Sequence, residues 1–342
     1  MRPLRTVFHG LRHEHGPGKL ASVRKLPGDF EVVGVVDDRP GVSPTWHANW
    51  SFFDGLPLMS AAEALAMPDV DVVFVETANG ELVEAARPWA ERGVAMHLDK
   101  PTGEKHEPFR ELVALCRAKN VPLQLGYMFR ANPAIRFCRK VVADGVLGKV
   151  FHVEADMDHD YGDDDYQRYV STFHAGIFYN LCCHLVDFVV PMVEGDMVRS
   201  SLAVGAAPGD PPEWRNRCSA MMEWPEATVF LRSCSRNPGG IPHRRLRIDG
   251  TNGTLELDPI ERFDGQQIHV QMFLGRPAGD YVAGRHDFAF GPQLDRYVGQ
   301  LSELARIVRG EIPNPVALYD HDLKVHDVLL RTCFSGSNQN KD

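Results

Sequence analysis

The stretch that decides the fold is DVDVVFVETANGELVEAARPWAERGVAMHLDKP, residues Asp69 to Pro101. It opens with an apolar run, Val72 to Val75, which has the length of a strand buried on both faces. A turn at Asn79-Gly80 follows, and then a helical pattern leads to a second strand over Val94 to Leu98. Such a βαβ unit places its strands in parallel. Asn79 and the residues after Leu98 are therefore predicted at the sheet edge where ligands bind.

The N-terminal segment predicts another βαβ unit, of the dinucleotide-binding type. A strand over Thr6 to Phe8 ends at Gly10, and a strand over Glu31 to Val36 ends at Asp37 and Asp38. An acidic residue after the second strand of such a unit accepts a hydrogen bond from a ribose 2′-hydroxyl. Because Asp37 repels a 2′-phosphate, we expect NAD rather than NADP, with Asp38 able to share the role.

The glycine loop between these strands is altered. The pattern G-x-G-x-x-G, read from Gly10, requires glycine at positions 12 and 15, but the chain has Arg12 and His15. Two further glycines follow shortly afterwards, so a longer turn is expected. Arg12, His13 or His15 can then contact the pyrophosphate through side chains, and the alternative is a loop that no longer binds phosphate.

Length and composition set the class of protein. A chain of 342 residues suggests two domains, residues 1–126 and 127–342. The net charge of −9, without a basic tract, argues against nucleic-acid and anionic membrane partners. No apolar run approaches a membrane span, and no signal-peptide pattern opens the chain. Seven scattered cysteines without a CxxC pair predict reduced thiols, and we therefore expect a cytoplasmic protein.

The second domain is predicted to be α+β, because segments with alternating hydrophobicity dominate it. The predicted strands lie at Phe151 to Met157, Val198 to Val204, Cys218 to Glu223, Ala227 to Ser233, Leu246 to Asp258 (a hairpin-like pair) and Ile268 to Phe273. The expected fold is an α/β Rossmann domain followed by an α+β domain with a large, mainly antiparallel open sheet. Since such a sheet leaves one face uncovered, we expect a homodimer or homotetramer.

Several motifs together resemble the glucose–fructose oxidoreductase / inositol dehydrogenase (Gfo/Idh/MocA) family of NAD(P)-dependent oxidoreductases. The family's Thr-Pro-Asn and Glu-Lys-Pro correspond here to Thr77-Ala78-Asn79 and Asp99-Lys100-Pro101. Its Arg-x-x-Pro and Gly-x-x-Gly-Lys stretches match Arg130 to Pro133 and Gly145 to Lys149. The resemblance covers nearly the whole chain. It implies cofactor contacts from Thr77, Asn79, Asp99, Lys100 and Arg130.

The resemblance also implies a catalytic set. The family's Asp-x-x-x-His stretch, with the lysine of Glu-Lys-Pro as partner, falls on Asn180, His184 and Lys100. Oxidising a secondary alcohol sends a hydride to nicotinamide and a proton to a base, for which histidine is suited, while lysine polarises the same oxygen. Asn180 departs from the family's aspartate, because an amide orients the imidazole without stabilising the imidazolium. We expect a cleft between the domains to bring Lys100 and His184 together.

A polar stretch over Asp156 to His174, DMDHDYGDDDYQRYVSTFH, precedes the predicted catalytic helix. A polyol needs several hydroxyl partners. The candidate substrate residues are Tyr161, Tyr166, Arg168, Asn180 and Asp187. A solvated acidic loop is the alternative. A metal site is not expected, because no spacing converges its four conceivable ligands, which are Asp158, His159, Asp160 and His174.

The sequence thus predicts an NAD-dependent oxidoreductase acting on a secondary alcohol carbon of a sugar, inositol or related polyol. One alternative is a non-catalytic sensor or scaffold of the same fold, favoured by Arg12, His15 and Asn180. The other is an NAD-assisted elimination or glycoside cleavage through a transient ketone.

Overall fold

The structure is a computed structural model, and it describes residues 1–39 and 50–335. The chain divides into two compact units. The first comprises Met1–Met128 with Tyr297–His326, and the second comprises Phe129–Arg296 with the residues from Asp327 onward.

Regular elements account for most of the described residues. The helices are α1 (Gly16–Arg24), α2 (Ala61–Ala66), α3 (Leu82–Arg92), α4 (His106–Ala118), α5 (Pro133–Ala143), α6 (Asp164–Val170), α7 (Cys183–Val189), α8 (Val298–Val308) and α9 (Leu318–Cys333). The strands are β1 (Leu4–His9), β2 (Phe30–Val36), β3 (Leu58–Met59), β4 (Val72–Val75), β5 (Ala95–Leu98), β6 (Leu123–Leu125), β7 (Val150–Asp156), β8 (Arg199–Gly205), β9 (Arg217–Glu223), β10 (Thr228–Cys234), β11 (Arg245–Gly250), β12 (Gly253–Leu257), β13 (Gln267–Leu274) and β14 (Gly284–Pro292). A π-helical turn, Phe178–Cys182, directly precedes α7.

The first unit is built on a six-stranded parallel sheet in the order β3-β2-β1-β4-β5-β6. All four residues of β4 and of β5 are buried, as expected for apolar strands covered on both faces. The order reverses between β1 and β4, and ligands bind at such a switch point. The predicted Rossmann fold is confirmed.

Local sequence signals set the helix ends. Ser60 and Glu63 form a reciprocal capping box at the start of α2, and the Asn132 side chain accepts hydrogen bonds from two backbone N–H groups of α5. Gly93 ends α3 in a left-handed conformation, with φ of 77°. The turn after β1 runs to His15. Gly16 then begins α1, and Pro17 occupies its first turn, where its missing N–H is harmless.

The segment Tyr297–His326 belongs to the first unit, whereas the sequence placed everything after residue 126 in the second domain. The physical reason is the edge strand β6, whose backbone this segment satisfies. Gln300 donates its side-chain N–H to the Leu125 carbonyl (2.6 Å), and the Leu123 N–H donates to the Tyr319 hydroxyl (3.1 Å). Covering an exposed strand edge in this way prevents it from pairing with other chains.

The second unit is built on an eight-stranded sheet in the order β14-β13-β12-β11-β7-β10-β9-β8. Only the β7–β10 pair is parallel among its described pairs, which confirms a mainly antiparallel sheet. Burial alternates along β13, so one face is covered and the other open. The open face carries the half-exposed apolar side chains of Met221, Phe230 and Phe273.

Two further features concern the chain as a whole. All seven cysteines are free thiols, and the sulfur atoms of Cys182 and Cys218 lie 3.8 Å apart. Across residues 1–39 and 50–335, no helix has the length and apolar character that a membrane crossing requires.

Candidate functional site

The carboxyl edge of the parallel sheet gathers nearly all the residues that the sequence predicts at the cofactor. All of these lie in the first unit: Gly10, Arg12, His13, His15, Asp37, Asp38, Thr77, Asn79, Asp99 and Lys100. Arg130, the remaining candidate, lies in the second unit, as do Asn180 and His184.

Gly10 lets the chain leave β1 directly against the end of β4. Its φ is +107°, and a Cβ atom there would lie 2.7 Å from the Thr77 nitrogen and 2.8 Å from the Glu76 carbonyl oxygen. No side chain fits in that space. The His13 N–H then donates to the Glu76 carbonyl (3.0 Å), which fixes the loop to β4.

Asp38 ties the same loop to the end of β2. Its carboxylate accepts hydrogen bonds from the Leu11 N–H (2.8 Å) and from Nε of Arg12 (2.9 Å). Arg12 also pairs with Glu81, so its guanidinium is held between two carboxylates. Burial raises the pKa of Asp38, although both hydrogen bonds oppose that shift. Asp38 and Arg12 therefore brace the loop.

Asp37 presents the more accessible carboxylate, with a side chain 25% exposed. Both of its oxygens accept from the Arg39 guanidinium, each at 2.7 Å. These hydrogen bonds lower the pKa of Asp37. The ribose acceptor predicted from sequence is therefore ion-paired with Arg39.

Lys100 is completely buried at the end of β5. Its backbone N–H donates to Asp99 Oδ1 (2.6 Å), and its carbonyl accepts from the Asn79 amide (3.0 Å). Nε2 of His13 lies 3.3 Å from the same carbonyl oxygen. The backbone of Lys100 is therefore fixed by side chains from three other positions at this sheet edge.

A fully buried charge cluster lies beside Lys100, formed by Lys19, Glu76 and Asp99. The Lys19 ammonium is 2.5 Å from Asp99 Oδ2 and 3.0 Å from Glu76 Oε1. Burial and the nearby Asp99 charge raise the pKa of Glu76 well above its usual range, against the opposing effect of Lys19. The pKa of Asp99 is well below its usual range because His13, Lys19 and His15 outweigh the effect of burial. Two neighbouring carboxyl groups thus differ sharply in proton affinity.

His15 and Glu14 complete this region. Burial lowers the pKa of His15 to about 4, with Asp99 opposing and Lys100 reinforcing the shift, so the imidazole is neutral near pH 7. Burial alone would raise the pKa of Glu14, but His13, His15 and Lys100 lower it to about 2. The sequence identified His13 and His15 as loop residues but did not identify Lys19 or Glu76 as part of this region. No signal in the pattern distinguishes a buried lysine on α1 from a solvated one.

The second unit holds the predicted base. His184 is buried on α7, and its ring packs edge-on against Phe129 with 5.8 Å between centroids. Asn180 is buried in the π-helical turn and accepts a long hydrogen bond from the Tyr166 hydroxyl (3.4 Å). Such π turns frequently occur at functional sites, because they alter the direction of side chains within a helix.

Arg130 and Asp187 form a two-point ion pair within the second unit. Nη2 of Arg130 lies 2.5 Å from Asp187 Oδ1, and its Nε lies 3.1 Å from Oδ2. Asp187 is only 1% exposed. The geometry makes each side chain the other's partner, and it fixes the end of the helix that carries His184.

The predicted substrate residues on the polar stretch differ in exposure. Tyr166 is buried and stacks edge-on against the half-buried Tyr161, with 4.4 Å between ring centroids. The Arg168 side chain is 60% exposed and pairs with Asp165 on the same helix. Tyr161 and Tyr166 therefore belong to one aromatic cluster, while Arg168 faces solvent.

The four residues weighed from sequence as metal ligands contact other groups: Asp160 accepts from the Gly239 N–H (3.0 Å), and the His174 ring stacks on that of Phe334. Asp158 accepts from Arg232 (3.0 Å) and from the Cys234 N–H (2.7 Å), while His159 contacts Arg244 (2.9 Å). Within the described residues, the group that does bring three ligand atoms together is His13, His15 and Asp99.

Two family models match the chain. Residues 5–127 match an oxidoreductase family with an NAD-binding Rossmann fold, and residues 135–256 match the GFO/IDH/MocA C-terminal domain. The chain belongs to the Gfo/Idh/MocA family of oxidoreductases.

Relatives in this family carry different activities. Inositol 2-dehydrogenase of Rhizobium meliloti (strain 1021) is 21% identical over 332 residues, covering 94% of this chain and 97% of that protein. D-apiose dehydrogenase of Paraburkholderia graminis is 25% identical, covering 60% and 54%. The 2,7-anhydro-N-acetylneuraminate hydratase of Mediterraneibacter gnavus is 31% identical, covering 39% and 34%. The chain thus matches only about half of the second relative's length and a third of the third's.

Solved structures of other Gfo/Idh/MocA-type chains share the fold. GenD2 from gentamicin A biosynthesis, in complex with NAD, has a TM-score of 0.76 and 19% identity, covering 99% of this chain and 95% of that one. UDP-N-acetylglucosamine 3-dehydrogenase GnnA from Acidithiobacillus ferrooxidans has a TM-score of 0.73 and 17% identity, covering 98% of both chains.

The residues at the sheet edge fit the nicotinamide dinucleotide that Gfo/Idh/MocA Rossmann domains bind. Helix α1 has no acidic residue in its first turn, so its N-terminus favours an anionic pyrophosphate. Asp37 places a carboxylate directly after β2, where the sequence predicts a ribose acceptor. The altered loop nevertheless keeps Gly10, the one position where a side chain cannot fit.

Proposed function

We propose that the protein is an NAD-dependent oxidoreductase that transfers a hydride between nicotinamide and a secondary alcohol carbon of a sugar, inositol or related polyol. The observation that carries this proposal is the completely buried Lys100 at the carboxyl end of β5, in the dinucleotide-binding unit. Burying an ammonium group is costly, and a strand-end lysine without a role would remain in water.

Each residue has a distinct role in the proposed reaction. The Lys100 ammonium holds and polarises the alcohol oxygen, and His184 accepts its proton. Asn180 orients the imidazole, and Tyr166 in turn fixes Asn180 through its hydroxyl. Nicotinamide, when bound, supplies the hydride acceptor. Arg130 and Asp187 stabilise the helix on which His184 stands.

Two kinds of observation support the substrate class. Relatives in the family are named for inositol and apiose, both of which carry secondary hydroxyl groups. The tyrosine cluster next to Asn180 offers hydroxyl groups and ring faces of the kind that bind polyols. Asp37 favours NAD over NADP.

The test combines cofactor binding with turnover. Purified protein is titrated with NADH and NADPH by fluorescence, and a panel of sugars and inositols is then screened for NADH formation. Lys100→Met and His184→Asn should each lower kcat/KM on the order of 10²–10⁴-fold while leaving NADH affinity within a few-fold. Lys140→Met, at an exposed lysine paired with Asp144, is the matched control. Full turnover in either active-site variant contradicts the assigned roles.

NAD-assisted elimination is the second candidate. The hydratase relative supports it, and so does Asn180, which stands where the family motif has an aspartate. Hydride would then return to the substrate within each cycle. Product formation without accumulation of NADH, and with loss of water in the product mass, would establish elimination. NADH binding without any turnover on the panel would favour the sensor or scaffold hypothesis.

A further inference from the structure

The loop between β1 and α1 places two histidines against a carboxylate. His13 and His15 are separated by one residue, and both Nδ1 atoms face Asp99 at the end of β5. The distances to Asp99 Oδ2 are 3.3 Å from His13 and 3.1 Å from His15. The three ligand atoms lie within 4.8 Å of one another.

These distances suit a shared metal ion. A tetrahedral ion with bonds of about 2.0–2.2 Å separates its ligand atoms by about 3.2–3.6 Å. Two imidazole nitrogens and one carboxylate oxygen form a donor set that zinc and other divalent transition metals prefer. The set leaves at least one coordination position open.

A second, independent feature points to a cation here. Glu76 is completely buried, and its Oε2 lies 3.9 Å from Nδ1 of His13 without a hydrogen-bond partner among residues 1–39 and 50–335. Glu14, whose side chain is only 7% exposed, brings its carboxylate within 3.5 Å of the same nitrogen. Oxygen atoms of buried acidic side chains therefore lie close to the imidazoles on several sides, where a divalent cation would find further acceptors.

We propose that His13, His15 and Asp99 bind a divalent transition-metal cation of the zinc type.

Lys19 is the competitor for this position. Its ammonium lies 2.5 Å from Asp99 Oδ2, the oxygen that faces both imidazoles. Glu76 Oε1 is already its second partner at 3.0 Å, so the ammonium can shift onto Glu76 when the metal takes Asp99. The metal would then join the β1–α1 loop to the strand end that carries Lys100, whose carbonyl contacts His13.

The decisive experiment measures metal binding by the intact protein, independently of turnover. Chelator-treated protein is titrated with Zn²⁺ by calorimetry and with Co²⁺ by its visible d–d absorption, which reports coordination by nitrogen ligands. One ion per chain is expected. His15→Ala should weaken Co²⁺ binding on the order of 100-fold or more, since even supporting residues of metal sites contribute 10–100-fold. Lys19→Met should tighten it by removing the competing cation.

Two controls keep the outcome clear. His152→Ala removes a histidine that lies 3.3 Å from Glu154 and has no third ligand among residues 1–39 and 50–335, so it should leave Co²⁺ binding unchanged. Asp99→Asn removes both a metal ligand and an ion-pair partner of Lys19, so its effect on metal binding is not specific. His15→Ala is therefore the deciding variant, because the His15 side chain is 20% exposed. The proposal is overturned if wild-type protein takes up no stoichiometric ion, in which case the His15 imidazole simply donates an N–H to Asp99. It is equally overturned if His15→Ala binds Co²⁺ as tightly as wild type.

Discussion

Buried His9 should make the folded state sensitive to mild acid. Its Nδ1 accepts the indole N–H of Trp89 at 2.8 Å, which requires a neutral ring, and burial lowers its pKa from 6.5 to about 4. In the unfolded chain the ring takes up a proton near pH 6.5. The contribution of His9 to the free energy of unfolding is therefore fully present above about pH 6.5 and is lost as the pH falls towards 4. The pKa difference of about 2.5 between the unfolded and folded states corresponds to about 3 kcal/mol in the free energy of unfolding.

The assay is urea unfolding followed by tryptophan fluorescence across this pH range, for wild type and His9→Asn. Asparagine can still accept from Trp89 but does not titrate. The wild-type protein should lose about 3 kcal/mol more than the variant between about pH 7 and about pH 4. His174→Asn, at an exposed histidine of the second unit, is the control. If the unfolding free energies of wild type and His9→Asn change with pH in parallel, His9 is not a neutral buried acceptor.

Three further outcomes are expected. Asp37→Ala should free the Arg39 guanidinium for a 2′-phosphate and reduce the preference for NAD(H) over NADP(H) by about tenfold, about 1.4 kcal/mol. Calorimetric titration of both cofactors checks this, and an unchanged ratio of the two dissociation constants contradicts it. Asn180→Asp should stabilise the His184 imidazolium and move the acidic limb of the kcat/KM profile to higher pH, and a superimposable profile would remove Asn180 from the proposed mechanism. Light scattering at micromolar concentration should give a molecular mass that is a multiple of 38.2 kDa. Phe230→Lys, on the open sheet face, should lower the measured mass. A wild-type mass near 38 kDa refutes the oligomer.

Strands β1, β2, β4 and β5 of the first unit could be predicted from sequence because each is a short apolar run between turn residues, whereas the two-residue β3 was not predicted. Strand β4 was predicted at its observed bounds, and β5 was one residue shorter than expected. Strand β14, Gly284–Pro292, was missed. Its residues are exposed or half-buried throughout, so the hydrophobic alternation that identifies a strand is absent.

The candidate site could be predicted only where chemistry follows from position along a strand. Asp37 follows β2 directly and Lys100 is the second residue after β5, so their placement at the sheet edge required only the strand assignments. Lys19 could not be found in this way, because it lies on a helix and charged residues are ordinarily exposed. Glu76 follows β4 directly, but its burial depends on Lys19, a partner distant in sequence. The ion pair of Arg130 with Asp187 is likewise a contact across 57 residues.

The π-helical turn Phe178–Cys182 has a consequence for how this chain can diverge from its relatives. A π turn is equivalent to an α-helix with one inserted residue, and each residue of an α-helix advances the side chains by about 100°. Deleting a single residue from the turn would restore a regular helix and leave His184 in place on α7. It would also swing Asn180 by about 100° around the helix axis, away from the Tyr166 hydroxyl. Insertions and deletions at this turn can therefore exchange the neighbours of the histidine without replacing any side chain.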